Sequence, residues 1–285
     1  DNTAKSGDVL VEMYDCPGFF LDRPYRYVER EVKYFTRELE NLVRFLEEVT
    51  HRKMDWDRLK EVVKLSEQSI QLQREISQLR KAVPAPMRSR GFLHNFAVDQ
   101  YLAGTPEAVS YMECVRDEVK AKVEQGQGAI PEEKYRILTL FLPPMYLWKL
   151  VDWMEREHGA VSVMEPYCSH WGEGELDIDK PLEALARKSF YRTVCRPMHG
   201  PASEGIVEDT VQDATDYKAE GAVYFAHIGC RQADGCIRIL KDALREEVGI
   251  PMLVVDNDIC DPSYASEDLF HDQLEGFFEM LDERK

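Results

Sequence analysis

The sequence contains no stretch of about 20 apolar residues, the length needed to span a bilayer as a helix. Its longest apolar run, Ile137 to Trp153, is interrupted by Pro143, Pro144, Lys149 and Asp152. Positive charge is scarce: 36 Lys and Arg stand against 53 Asp and Glu, a formal charge of −17. An excess of that sign repels phosphate backbones and anionic lipid heads, so neither a nucleic-acid-binding nor a membrane-surface protein is expected. No Gly-x-Gly-x-x-Gly or Walker-type loop is present, so the chain is not expected to bind ATP itself. No His-Glu-x-x-His occurs and no Ser-His-Asp order stands out. Asp1 to Asp8 is polar, unlike a secretory leader. Seven cysteines in 285 residues are an odd number without a Cys-x-x-Cys pair. A disulfide scaffold is therefore not expected, and reduced thiols in the cytoplasm are.

What is present is a chain able to fold. It is 44% hydrophobic and 31% charged, enough to bury a sizeable core and unlike a disordered composition. The first half reads as helical. Apolar residues recur near a 3.6-residue period from Arg26 to Val49, and again from Asp55, a candidate N-cap, to about Ala82. Pro84-Ala85-Pro86 ends that second helix. Phe92 to Leu102 is expected to form another. A further one runs to Glu124 from Thr105 as N-cap and Pro106 at the first helical position.

The second half alternates. Short apolar runs at Tyr135–Leu142, Ala160–Met164, Gly221–Ala226 and Met252–Val255 read as strands. Between and after them, Tyr146–Glu157, Pro181–Tyr191, Glu204–Lys218, Cys236–Val248 and Glu267–Asp282 read as helices. Alternation of this kind implies an α/β fold: a parallel sheet flanked by helices, here preceded by a helical segment. In such sheets the chemistry gathers beyond the carboxyl ends of the strands.

That rule draws attention to the cysteines. Cys168 lies just past the second strand and Cys230 just past the third, while Cys195 sits in the loop Val194–Gly200. Cys260 follows the fourth strand. Thiolates are soft ligands suited to iron–sulfur clusters or zinc. From spacing alone, buried and inert cysteine is the plainer reading, and it suits Cys114 and Cys236 on predicted helices. Gly229 beside Cys230 permits close backbone approach to a bulky group, and amides of such a turn can donate to cluster sulfides. His170, His199 and His227 flank the cysteine loops and read first as ordinary loop histidines. The run Asp256-Asn257-Asp258 with Asp261 could bind Mg²⁺, but a polar strand exit with capping is preferred. Tyr14, Phe19, Phe20, Tyr25 and Tyr27 could line an acyl pocket, with core packing the first expectation.

The ordered text of the chain resembles the 2-hydroxyacyl-CoA dehydratase / benzoyl-CoA reductase family. The resemblance rests on Asp22-Arg23-Pro24-Tyr25, Pro84-Ala85-Pro86-Met87, Gly104-Thr105-Pro106-Glu107-Ala108, Glu133-Lys134-Tyr135-Arg136, Pro143-Pro144 and Gly159-Ala160-Val161. It continues with His227-Ile228-Gly229-Cys230-Arg231, Gly249-Ile250-Pro251, Asp256-Asn257-Asp258 and Gln273 to Leu281. The resemblance implies a helical segment over 1–130 and a Rossmann-like α/β domain over 131–285 that carries a cluster cysteine. It also implies a [4Fe-4S] cluster, in some relatives a double-cubane one, held by cysteines and charged by a separate ATP-hydrolysing activator. Partners would be a related second subunit, or a second copy in the homodimeric relatives, and an acyl-CoA substrate. Cys230 is the ligand transferred by matching position; Cys168 and Cys195 fall where relatives of the double-cubane type place further cysteines. Gly229 and Arg231 flank the cluster cysteine, and Arg231 or Arg196 could bind the anionic coenzyme A moiety. Family subunits are longer, with an additional N-terminal domain that supplies cluster cysteines, and Asp1-Asn2-Thr3 resembles the text just after one of them. The leading expectation is benzoyl-CoA reductase-type chemistry. The (R)-2-hydroxyacyl-CoA dehydratase, which expels hydroxide through a ketyl radical, is the alternative. A double-cubane reductase relative, a non-catalytic partner subunit and a plain α/β interaction domain are the other readings.

Overall fold

In the computed structural model, which describes residues 2–169, 176–191 and 203–285, the strand that organises the chain is β1 (Tyr135–Leu140). Every residue of β1 is buried, as expected for the interior of a parallel sheet covered on both faces. Among the described residues it is joined by β2 (Ala160–Met164), β3 (Gly221–His227) and β4 (Met252–Asn257), in the order β2-β1-β3-β4. All pairings are parallel: Tyr135 lies beside Ala160, Ile137 beside Gly221 and Ala222 beside Met252. The expected parallel sheet with flanking helices is what the chain forms.

Side chains alternate across the sheet. Tyr135, Ile137, Val223 and Phe225 belong to one face, beneath α6 (Lys149–His158) and α11 (Glu267–Glu283). Leu138, Leu140, Ala222 and Tyr224 belong to the other. There they join one core with α3 (Trp56–Leu79), α4 (Gly91–Leu102), α5 (Pro106–Glu124), α8 (Glu208–Asp216) and α10 (Ile237–Ala243). The early helices and the sheet therefore share a single apolar interior. To one side, α2 (Glu29–Thr50) packs Val32 and Phe35 against Ala186 and Phe190 of α7 (Pro181–Tyr191).

Local signals set several boundaries. Asp55 caps α3 by accepting from the Arg58 amide at 2.9 Å, and Thr105 caps α5 by accepting from Ala108 at 3.2 Å. Gly159 ends α6 with φ 63°, where a Cβ would stand 2.8 Å from the Glu132 carbonyl oxygen, so the chain can turn straight into β2. Glu133 joins two stretches far apart in sequence. Its carboxylate accepts from Arg136 at 2.8 Å and from the Ala85 amide, and so ties the Pro84–Met87 segment to the start of β1.

Other elements differ from the sequence reading. Asn2–Tyr14 forms a helix, α1, that the polar opening had hidden. Its described side chains are exposed all round, so no buried face imposed a period to read. The aromatic segment after it is not core: Phe20 is 66% and Tyr25 55% exposed. Among the described residues, Phe19, against Phe45 at 5.4 Å, and Tyr27, against Phe190 at 5.4 Å, meet ring neighbours. The helix expected from Glu204 opens as a π-helical turn, Ser203–Val207, before α8. The one expected from Cys236 is preceded by a single turn, α9 (Arg231–Asp234), and closes as a second π turn, Leu244–Val248.

The helices are tied to the carboxyl edge of the sheet by a buried ion pair. Arg80, just past α3, donates from both terminal nitrogens to the two Glu165 oxygens at 2.8 Å, with side-chain exposures of 4% and 0%. Ser162 Oγ at 2.6 Å and Ser169 Oγ at 3.0 Å donate to the same carboxylate. Thr139 of β1 lies 2.7 Å from the Ser162 hydroxyl, and Ser89 Oγ accepts the Ser162 amide at 2.9 Å. Removing one partner strands a buried charge. Arg80→Met should therefore lower stability by about 3–5 kcal/mol in urea unfolding, and replacing both Arg80 and Glu165 with apolar residues should cost less than that single change. Equal losses in the single and double variants would contradict this account.

On the opposite face, His158 lies between Trp153 and Phe278, with ring centroids 4.7 Å from each. Burial holds its imidazole below the usual value of 6.5, against the opposing pull of Glu275 and Glu157. The unfolded chain then binds that proton more readily than the folded one. Stability should fall as pH drops below 6.5, and His158→Phe should flatten part of that decline in thermal unfolding between pH 5 and pH 7, a window of about two pH units around the histidine range.

Candidate functional site at the carboxyl edge of the sheet

The strand order reverses between β1 and β3: the chain steps outward from β1 to β2, then crosses to β3 and β4 on the other side. In parallel sheets a crevice opens beyond the carboxyl ends at such a reversal. The residues placed there are Phe141, just past β1, and the turn His227–Cys230 at the end of β3.

Phe141 has φ 63°, in the left-handed region that bulky residues avoid. The surroundings hold it there. Its ring lies edge-on to Tyr167 at 5.5 Å and is stacked with His227 at 6.4 Å and Tyr224 at 6.5 Å. The Tyr167 and Tyr224 hydroxyls stand 3.4 Å apart. Both phenols are pushed well above their usual range, foremost by burial. Buried aromatic groups thus pack together beneath the strand exits.

The loop after β4 closes the other side. Buried Asn257 donates from Nδ2 to the Leu142 carbonyl at 3.1 Å, and the Met145 amide donates to Ile259 at 2.9 Å. Pro143-Pro144 and Asp256-Asn257-Asp258, both part of the family-like text, are thereby laced together. Asp258 accepts the amides of Cys260 at 2.8 Å and Asp261 at 2.9 Å, which hold its carboxyl below the usual range. Asp261 accepts from Ser263 in the same way. These acids cap a strand exit, and among the described residues no group of three or more His, Cys, Asp or Glu is arranged to hold a metal.

The cysteines take different places. Cys230 is half-buried and packs partly against the main core, at the start of α9. Cys168 is only 1% exposed within that core, and its thiol is pushed up by burial and by the Glu165 charge. Cys236 is buried, as expected of a packed helical thiol, with its pKa raised by burial. Cys114, expected to be buried, is exposed, on the side of α5 that also carries exposed Ser110, Asp117 and Glu118; Cys16 and Cys260 are exposed too. Cys195, His170, His199 and Arg196 lie outside the described residues. Gly229 and Arg231 are exposed beside Cys230. A Cβ on Gly229 would stand 2.9 Å from His227 Nε2, a packing constraint that sequence reading could not see. Arg231, at the exit of β3, makes no ion pair with the described residues.

A cavity of about 770 Å³ lies at the opposite edge of the sheet, lined by Arg88, Lys134, Asp152, Glu155 and His158 among others. Charged pairs fill its walls, such as Arg88 with Glu155 at 2.6 Å. Its position at the amino ends of β1 and β2 separates it from the strand exits.

Thiol reactivity follows thiolate content and access. Alkylation of the native chain, read residue by residue by peptide mass mapping, should modify Cys16, Cys114 and Cys260 first and Cys230 next. Cys168 and Cys236 should lag by about 100-fold or more, as buried protonated thiols do. Cys168 modified as fast as Cys260 would show this placement to be wrong.

Comparison with known proteins gives the chain its relatives. The family model for the 2-hydroxyglutaryl-CoA dehydratase D-component matches residues 1–281. The (R)-phenyllactyl-CoA dehydratase alpha subunit of Clostridium sporogenes is 26% identical over 241 aligned positions, 84% of this chain and 56% of that protein. A benzoyl-CoA reductase subunit of Thauera aromatica is 25% identical over 298 aligned positions, 98% of this chain and 67% of that protein. The (R)-2-hydroxyisocaproyl-CoA dehydratase alpha subunit of Clostridioides difficile is 22% identical over 83% of this chain and 57% of that protein. The chain thus spans between 56% and 67% of the length of these curated relatives. With nearly its whole length matched by the family model, the chain belongs to the 2-hydroxyglutaryl-CoA dehydratase D-component family.

Proposed function

We propose that this chain is part of an iron–sulfur subunit of an ATP-activated, one-electron acyl-CoA enzyme of the benzoyl-CoA reductase type, and that Cys230 is one of its cluster ligands. The observation that carries this reading is the placement of Cys230: half-buried, at a strand exit, at the reversal of strand order, after a residue without a Cβ. A thiol so placed has the access that a ligand needs and the burial that keeps water from it. Cys168, in the core and protonated, would have to leave its packing to join. Further ligands would come from Cys195 or from other parts of the enzyme. The match to the benzoyl-CoA reductase subunit runs over 98% of the chain and supports the reductase reading. The two dehydratase alpha subunits support the alternative, an (R)-2-hydroxyacyl-CoA dehydratase.

In either chemistry the cluster supplies a single low-potential electron, with ATP consumed by a separate activator. The residues of this chain that line the strand exits have two roles in this reading. Phe141, Tyr167 and Tyr224, all buried, form an aromatic floor. Arg231, exposed at the rim, offers its guanidinium to the phosphates of coenzyme A. A related second subunit, or a second copy, completes the assembly.

The test is anaerobic iron and sulfide analysis of the complete enzyme together with its visible spectrum. Cys230→Ser should lose the cluster absorption and lower bound iron; an unchanged spectrum would remove Cys230 from the ligand set. Turnover of benzoyl-CoA against an (R)-2-hydroxyacyl-CoA, each with activator and ATP, then separates the two chemistries.

A further inference from the structure

The turn that carries Cys230 is built around His227, and we infer that this histidine is a positioning residue for the thiol. Its carbonyl accepts the Cys230 amide at 2.8 Å, which closes the turn. Its ring Nδ1 accepts the Ile259 amide at 3.4 Å, which ties the turn to the loop after β4. The ring is also stacked with Phe141, just past β1. On the turn itself, the Gly229 Cα is bare where a Cβ would stand 2.9 Å from Nε2 and 3.4 Å from Cε1. The Ile228 amide donates to the Asn257 carbonyl at 3.1 Å and fixes the same turn from its backbone.

One imidazole thus meets three strand exits at once, and the thiol sits three residues downstream on the piece of chain that it holds. With Nδ1 turned to the Ile259 amide, it is Nε2 that faces Gly229. The ring makes this clamp through one hydrogen bond, one stacked face and one close approach, none of which needs a charge. A ligand held in this way keeps its direction without reorganising when an electron arrives, which is how outer partners tune a metal site. That consequence rests on the reading of Cys230 as a ligand; the clamp does not.

The experiment is residue-resolved alkylation of the chain with iodoacetamide at fixed pH, read at Cys230, with Cys236 and Cys168 as reporters of the global fold. His227→Ala should speed Cys230 modification by about tenfold, the factor that loss of one net hydrogen bond gives an opening equilibrium. His227→Asn places an acceptor oxygen where Nδ1 stood and should keep the rate within about twofold of the parent. Gly229→Ala, which pushes on the ring from the other side, should accelerate Cys230 as His227→Ala does. In all three variants Cys236 and Cys168 should stay protected. Unchanged Cys230 rates in His227→Ala and Gly229→Ala, no rescue by His227→Asn, or equal acceleration at Cys236 would each overturn the inference. The two readings fail separately. A Cys230→Ser enzyme that keeps its cluster spectrum removes the ligand and leaves these rates as they are. Unchanged rates with a lost spectrum remove the clamp and leave the ligand.

Discussion

The buried pair between Arg80 and Glu165 is the constraint on which the rest of this structure depends. A carboxylate with no exposed surface is tolerable only when its oxygens are fully engaged, and Glu165 accepts from Arg80 twice and from Ser162 and Ser169. Those bonds fix where α3 ends relative to β2. They also fix the first residues beyond β2, since the Cys168 and Ser169 amides both donate to the Glu165 carbonyl at 2.8 Å. Position of the helices and shape of the strand exit are therefore one problem with one solution.

That solution leaves the crevice with unequal walls. On the β2 side the exit is turned inward and its cysteine is sealed in the core. On the β3 side the exit stays open, with Ile228 62% exposed and Cys230 half-buried. Between them Phe141 holds a backbone conformation that costs roughly 1–3 kcal/mol. The aromatic contacts around it keep it there. Strain of this kind persists only where the surrounding structure over-determines it.

Much of this was legible in the sequence because burial leaves a period. The strands of the sheet, the caps at Asp55 and Thr105, and the break at Pro84-Ala85-Pro86 all follow from apolar runs and backbone chemistry. The family text was legible as order along the chain, although its reasons were not. Glu133 and Ala85 are far apart in sequence, and nothing in either says that they meet. Helix α1 was missed because a helix exposed all round has no apolar face to reveal it. Cys114 was misplaced because helix membership says nothing about which side faces the core. The clamp at His227 was invisible for a related reason: its partners Ile259, Phe141 and Gly229 come from three different loops, and spacing along the chain carries no record of that convergence.

The span between Arg80 and Glu165 has a consequence for synthesis. The two residues are 85 positions apart. At roughly 5–20 residues per second, the guanidinium is synthesised several seconds before its carboxylate, on the order of 4–17 s. Over that interval Ile76, Phe92 and Met112 have no sheet to cover them. The nascent helices must stay sticky and unfinished until β2 arrives, which makes this stretch of the polypeptide a natural client for chaperones that shield apolar segments.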